Sequence, residues 1–151
     1  MEIYQALQED HRNLIHILER LDGTSADASK LRRELLDDLE LQLLSHAAAE
    51  EEVFLGLLKE RDETRDPAFE ISSEMKDAIG VLRHLIQIGS KNDHWEEEFA
   101  RLRGLIESHI DEDEKTMFPR AKRVLNTDSA EEMGEKFDDI KCDYVDRNQL
   151  N

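Results

Sequence analysis

Apolar residues recur every three or four positions over most of the chain, the period of an amphipathic helix. Ile3, Leu7, Leu14, Ile15, Leu18 and Leu21 form a first stripe over residues 2–21, which Asp22-Gly23 ends. After the polar loop GTSADAS, a second stripe through Leu31, Leu35, Leu39, Leu43, Val53 and Leu57 predicts a helix of about 30 residues, ending before KERDETRDP. Pro67 suits the first turn of a third helix, with Ile71, Met75, Ile79, Leu82 and Ile86 on its stripe and Gly89 at its end. A fourth helix starts near Asp93 and carries Trp95, Phe99, Leu102, Ile106 and Met117; Pro119 is expected to kink it or force a new turn.

Four amphipathic helices with short connections pack most simply as an all-α, up-down-up-down four-helix bundle, here residues 1–125. Residues 126–151 form an acidic extension. A capping-box start near Asp128 and apolar Met133, Phe137 and Ile140 predict a short fifth helix lying across the bundle, its last residues disordered.

Composition agrees with this reading. The chain has 151 residues, enough to bury a core without disulfides, and only two prolines and six glycines interrupt it. A formal charge of -17 repels nucleic acid and anionic membrane surfaces, so neither is expected as a partner. No apolar run reaches the roughly 18 residues of a membrane span, and MEIYQALQEDH lacks the basic and apolar regions of a signal peptide, so a cytoplasmic location is expected. The single cysteine, Cys142, excludes an internal disulfide and stands in the acidic tail, far from every candidate site.

The informative residues are polar groups on apolar stripes, because burying them without a partner costs several kcal/mol. At about 100° per residue, His11 falls on the stripe of Leu7, Leu14, Ile15 and Leu18, while His16 lies opposite it. His46 and Glu50 share the inward face of the second helix at i and i+4, and His109 and Asp113 repeat that pairing on the fourth. Glu114 turns toward the rim, and His94 sits beside a helix start at the surface. A core histidine satisfied by a carboxylate explains any one of these. Three imidazoles and two carboxylates together are explained more economically by a shared cation, and a thiolate-free set of this kind suits iron, manganese or zinc.

The strings EDHRNL at His11, HAAAEEEVF from His46 and HIDEDEKTMFP from His109 resemble the hemerythrin-like HHE cation-binding domain over residues 2–125. The resemblance implies an iron centre, of two ions or else of one, held by His11, His46 with Glu50, and His109 with Asp113, with zinc or manganese less expected. Two departures bear on it. Asp113 stands where the family usually carries Glu, one methylene longer, which puts bridging of two ions in doubt and leaves Glu114 as a further ligand candidate. The family also places a histidine on helix three, whereas the corresponding positions here are Glu74 and Met75. Three resolutions follow: Glu74 or water replaces the imidazole, a register shift brings in His84, or the second metal position is weakened. By helical geometry His84 is exposed.

The resemblance implies binding or sensing of dioxygen, nitric oxide or iron in a stress response, by a protein that acts alone, as a homodimer or with a protein partner. No Gly-rich phosphate loop or nucleophile signature suggests a dedicated enzyme. The alternatives are a metal-poor bundle acting as a protein-interaction module, and an oxidase or peroxidase-like di-metal enzyme, which would normally carry more carboxylates.

Overall fold

The computed structural model describes residues 1–149, and its regular elements are all helical. Helix α1 is Ile3–Asp22. Helix α2, residues 29–58, consists of α-helical Ser29–Glu50, a wider π-helical turn Glu51–Leu55 and a last turn Gly56–Leu58. Helix α3 is Arg65–Ile88. Helix α4, residues 95–124, has the same composite build: Trp95–Asp111, a π-helical turn Glu112–Met117, then Phe118–Val124. Helix α5 is Thr127–Gln149.

Helices α1 to α4 close a ring in which each packs on the next and α4 returns to α1, while α5 lies against α1 and α2. The fifth helix is present as expected and runs for 23 residues, further than its three predicted apolar positions would carry it. Asn126 caps it, its Oδ1 accepting the Ser129 N–H at 2.8 Å, so the cap stands two residues before Asp128. Ala130 and Phe137 are buried under α5, Met133 and Ile140 half-buried. Gly134 lies so close to the Met1–Glu2 backbone that a side chain there would collide with it, which seats α5 firmly on the start of α1. The disorder expected at the chain end concerns Leu150 and Asn151, which lie outside the described residues.

The predicted stripes need two corrections. On α2 the inward positions are Arg32, Leu35, Leu36, Leu39 and Leu43, and Leu31 is 42% exposed. Arg32 takes the inward place because its guanidinium stacks on Trp95 at 3.7 Å and bonds to Thr24, Ser90 and Glu96, satisfying every face of the charge. Further along, Val53 is buried as expected, but Phe54 beside it is buried more fully, and Leu58 fills the core where Leu57 was expected; Leu57 is only half-buried. The π turn inserts one extra residue and moves the stripe by one position.

The same device admits Pro119. It stands in the first turn after the π segment of α4, and the chain continues as helix through Val124. The wide turn displaces the carbonyl that the ring would otherwise strike, and the missing N–H falls where the hydrogen-bond pattern is already changing.

The core has two apolar parts. One contains Leu14, Leu18, Leu39, Leu43, Leu82, Phe99 and Ile106; the other contains Ile3, Leu7, Phe54, Ile71, Met117 and Phe137. On α1 the boundary falls between Leu7 and Leu14, on α2 between Leu43 and Ala49, and on α4 between Ile106 and Met117. His11, His46, Glu50, His109 and Asp113 stand at that boundary.

Candidate metal centre

His11, His46, Glu50, His109 and Asp113 are all buried, and one nitrogen or oxygen from each lies within 4.8 Å of all the others. The three imidazoles form a near-equilateral group, with ring centroids 5.2, 5.7 and 5.9 Å apart. Nε2 of His46 is 2.7 Å from Oε2 of Glu50, Nε2 of His109 is 3.5 Å from that oxygen and 3.6 Å from Oδ2 of Asp113, and Nε2 of His11 is 3.4 Å from the latter.

Local sequence explains this convergence. His46, Glu50, Phe54 and Leu58 follow one another at intervals of four, and His109, Asp113, Met117 and Ala121 do the same; all eight are buried. Each four-residue step overshoots a straight helix by about 40°, so three in succession would carry the row off the core face. The π turns Glu51–Leu55 and Glu112–Met117 absorb the overshoot.

Hydrogen bonding makes the case for a cation. Nε2 of His11, His46 and His109 and all four carboxylate oxygens of Glu50 and Asp113 are buried without a hydrogen-bond partner, and so is Nδ1 of His109. The close approach of His46 to Glu50 therefore lacks hydrogen-bond alignment, as expected of lone pairs turned to a common point. Orphaned buried polar atoms each cost roughly 1–3 kcal/mol. Metal–ligand bonds of roughly 2.1 Å place opposite donors about 4.2 Å apart, so five donors within 4.8 Å fit a single ion, whose 2+ charge two carboxylates balance. The residues present fit the metal that their pattern implies.

Two of the imidazoles are oriented from behind. His46 donates Nδ1–H to Oδ2 of Asp10 at 2.7 Å, and His11 donates Nδ1–H to Oε2 of Glu114 at 2.6 Å. Each bond leaves the Nε2 lone pair facing the cluster, the usual arrangement behind metal-binding histidines. Glu114 thus stands outside the five-donor cluster and acts on His11. Asp10 was missed as a site residue, although the ladder Leu7, Asp10, Leu14, Ile17, Leu21 places it on the inward face, and it is only 5% exposed. Lys141 of α5, which donates to Oδ1 of Asp10, has no such local signal, since 131 residues separate the two.

The remaining predicted residues lie elsewhere. Glu74 is half-buried on α3 outside the cluster; burial, with the charges of Glu112 and Glu70, raises its pKa. His84 is exposed on α3, so no register shift brings it inward. His16 and His94 are exposed too, and Cys142 is exposed on α5. Met75 is buried at the level of the cluster and lines an apolar cavity of about 300 Å³ between α2, α3 and α5, together with Leu44, Ala48, Leu55 and Ile79; the cavity reaches Glu50 and His109.

Without metal the cluster holds protons. Burial, with the nearby His46 charge, pulls His11 down to about 3. Burial also works against the His46 cation, but the hydrogen bond of Asp10 and the charges of Glu50 and Asp10 prevail and lift it to about 9. Burial, then the charge of Glu50, raises Asp113 well above the carboxylate range, whereas Glu50 is held well below it, since His109 and His46 outweigh its burial. A cation must therefore displace a proton from His46 at neutral pH, and as pH falls it competes with protons for Asp113 as well. Metal affinity should rise about tenfold per pH unit for each proton displaced. That rise should flatten once the pH passes the His46 value of about 9. Calorimetric titration in buffers of different ionisation enthalpy counts the protons; an affinity unchanged between pH 6 and pH 8 would contradict this picture.

Comparison with known proteins adds to the geometry. The family model described as the hemerythrin HHE cation binding domain matches residues 2–121. The chain is 26% identical over 137 residues to the uncharacterized proteins Rv2633c of Mycobacterium tuberculosis and Mb2666c of Mycobacterium bovis, covering 90% of this chain and 83% of each relative. It superimposes with a TM-score of 0.88 on the crystal structure of a hemerythrin HHE cation binding domain-containing protein, the Rv2633c homolog from Mycobacterium kansasii. That match has 22% identity and covers 99% of this chain and 91% of the other. At that identity the likeness shows the fold.

Proposed function

The chain belongs to the hemerythrin HHE cation-binding domain family, and on that premise we propose that it holds non-haem iron in the five-donor cluster and binds or senses dioxygen or nitric oxide there. The observation that carries this reading is the set of buried lone pairs on His11, His46, Glu50, His109 and Asp113 that face one another and have no hydrogen-bond partner.

Iron in a site of three imidazoles and two carboxylates supplies an open coordination position and one-electron chemistry. The protein's part is to hold the donors and control access. Asp10 and Glu114 fix the imidazoles of His46 and His11. Apolar side chains above and below the cluster exclude bulk water. The cavity beside Met75, Leu44 and Ile79 leads to Glu50 and His109, and its apolar walls favour a small uncharged ligand.

Of the two stoichiometries that the family resemblance implies, the compactness of the cluster favours one tightly held iron over two. α3 offers the thioether of Met75 beside His109 and Glu50, and hard iron seldom takes that ligand. A second ion would rely on Glu74, whose buried Oε2 has no hydrogen-bond partner.

The test is elemental analysis of protein reconstituted anaerobically with ferrous iron, with absorption spectra before and after addition of air or nitric oxide. About one iron per chain and a ligand-dependent spectrum are expected. Two irons would return the paired centre and give Glu74 a ligand's role. No retained metal would overturn the proposal and favour the interaction-module reading.

A further inference from the structure

We infer that Lys141 of α5 is a positioning residue of the metal centre, acting through Asp10 on the imidazole of His46, so that a helix outside residues 2–121 forms part of the site. This rests on the reading of His46 as a metal ligand.

The carboxylate of Asp10 has two oxygens with separate partners. Oδ2 accepts Nδ1–H of His46 at 2.7 Å, and Oδ1 accepts from the Lys141 ammonium. The Asp10 side chain is 7% exposed and that of Lys141 16%, so water competes little for either bond. A carboxylate held at one oxygen can still swing about its Cβ–Cγ bond. Held at both, it fixes the direction of the His46 Nδ1–H bond and hence the aim of Nε2 into the cluster. One helical turn before Lys141, the edge of Phe137 meets the His46 ring at 5.8 Å, so α5 touches the same imidazole both directly and through Asp10.

The other two imidazoles are held differently. His11 leans on Glu114, whose side chain is 32% exposed, and Nδ1 of His109 has no hydrogen-bond partner. His46 alone among the three is tied to another helix by a partly buried lysine–carboxylate link. Lys136, by comparison, pairs with Glu132 on the exposed side of α5.

The experiment measures ferrous affinity anaerobically by competition with a chromophoric chelator, the absorption spectrum of the iron-loaded form, and melting of the metal-free form. The full chain is used as wild type, Lys141→Met, Lys141→Gln, Lys141→Arg, Asp10→Asn and the Asp10→Asn/Lys141→Met double variant. Loss of such outer partners typically weakens metal binding about 10- to 100-fold. Lys141→Met should fall near the lower end of that range and shift the spectrum, and Lys141→Arg should recover most of the affinity. In the Asp10→Asn background Lys141→Met should add little, because both act on one bond.

If Lys141→Met does not fold, Lys141→Gln, which loses the charge and keeps a polar side chain on a shorter stem, carries the same expectation. Lysine variants that melt earlier but bind iron with wild-type affinity and spectrum would make Lys141 a helix fastener and overturn the inference alone. Full additivity in the double variant would also overturn it. Wild-type protein that binds no iron would bring down the iron reading and this inference with it.

Discussion

Replacing His109 with alanine is expected to abolish tight iron binding, and His46→Ala is expected to do the same. Each removes a donor that lies within 4.8 Å of the other four and that no neighbour can replace from a packed core. Since loss of an outer partner alone costs about 10- to 100-fold, loss of a direct ligand should cost more than 100-fold. His16→Ala is the control, because that side chain is exposed on α1 and should leave metal content unchanged. His109→Leu sharpens the test. Neither ring nitrogen of His109 has a hydrogen-bond partner, so an apolar side chain of similar size removes two orphaned atoms from the metal-free protein. Its metal-free form should melt no earlier than wild type and should gain nothing from iron. Equal metal loss in all four variants, or none, would show that the donors are misassigned; elemental analysis after desalting decides.

The second large effect is thermal. Ferrous iron at about a thousand times its dissociation constant should stabilise the folded chain by about 4 kcal/mol. For a domain of this size that raises the melting midpoint by about 8–16 °C. The shift is large because the metal-free cluster is itself costly: His46 is held as a cation, Asp113 is buried against the charge of Glu50, and the carboxylate oxygens of both acids have no hydrogen-bond partner. Iron relieves all of these together. Differential scanning calorimetry under argon, with and without metal, reads the effect, and an unchanged midpoint at saturating iron would count against the cluster as a site. The shift should shrink as pH falls from 8 to 6, because protons then compete harder for His46 and Asp113. An exposed acidic surface that merely collected cations would show no such loss in His109→Leu.

Hydrophobic periodicity was enough to reveal four amphipathic helices, their order and the inward faces of His11, His46, Glu50, His109 and Asp113. That signal is local: a side chain's place on a helix depends on residues three and four positions away, which one sequence displays. Matching i, i+4 pairs on two helices then pointed to a shared cation, because two carboxylates and three imidazoles have no other good reason to share an apolar layer.

What escaped that reading depends on distance or on a break in the period. Phe54 joined Val53 in the core and Leu58 displaced Leu57 because a π turn inserts a residue, and only the repeated four-residue spacing hinted at it. Arg32 was passed over because a buried guanidinium is tolerated only where Trp95, Thr24, Ser90 and Glu96 meet it, and these come from other helices and loops. The role of Glu114 behind His11 and that of Lys141 behind Asp10 were likewise settled by packing. Those partners lie 103 and 131 residues apart, and no periodicity relates them. The sequence by itself determined which residues face inward, since helical phase is a short-range property. Only the tertiary structure decided which inward groups meet and which carboxylate stands behind which imidazole, because those contacts depend on how five separate helices lie against one another.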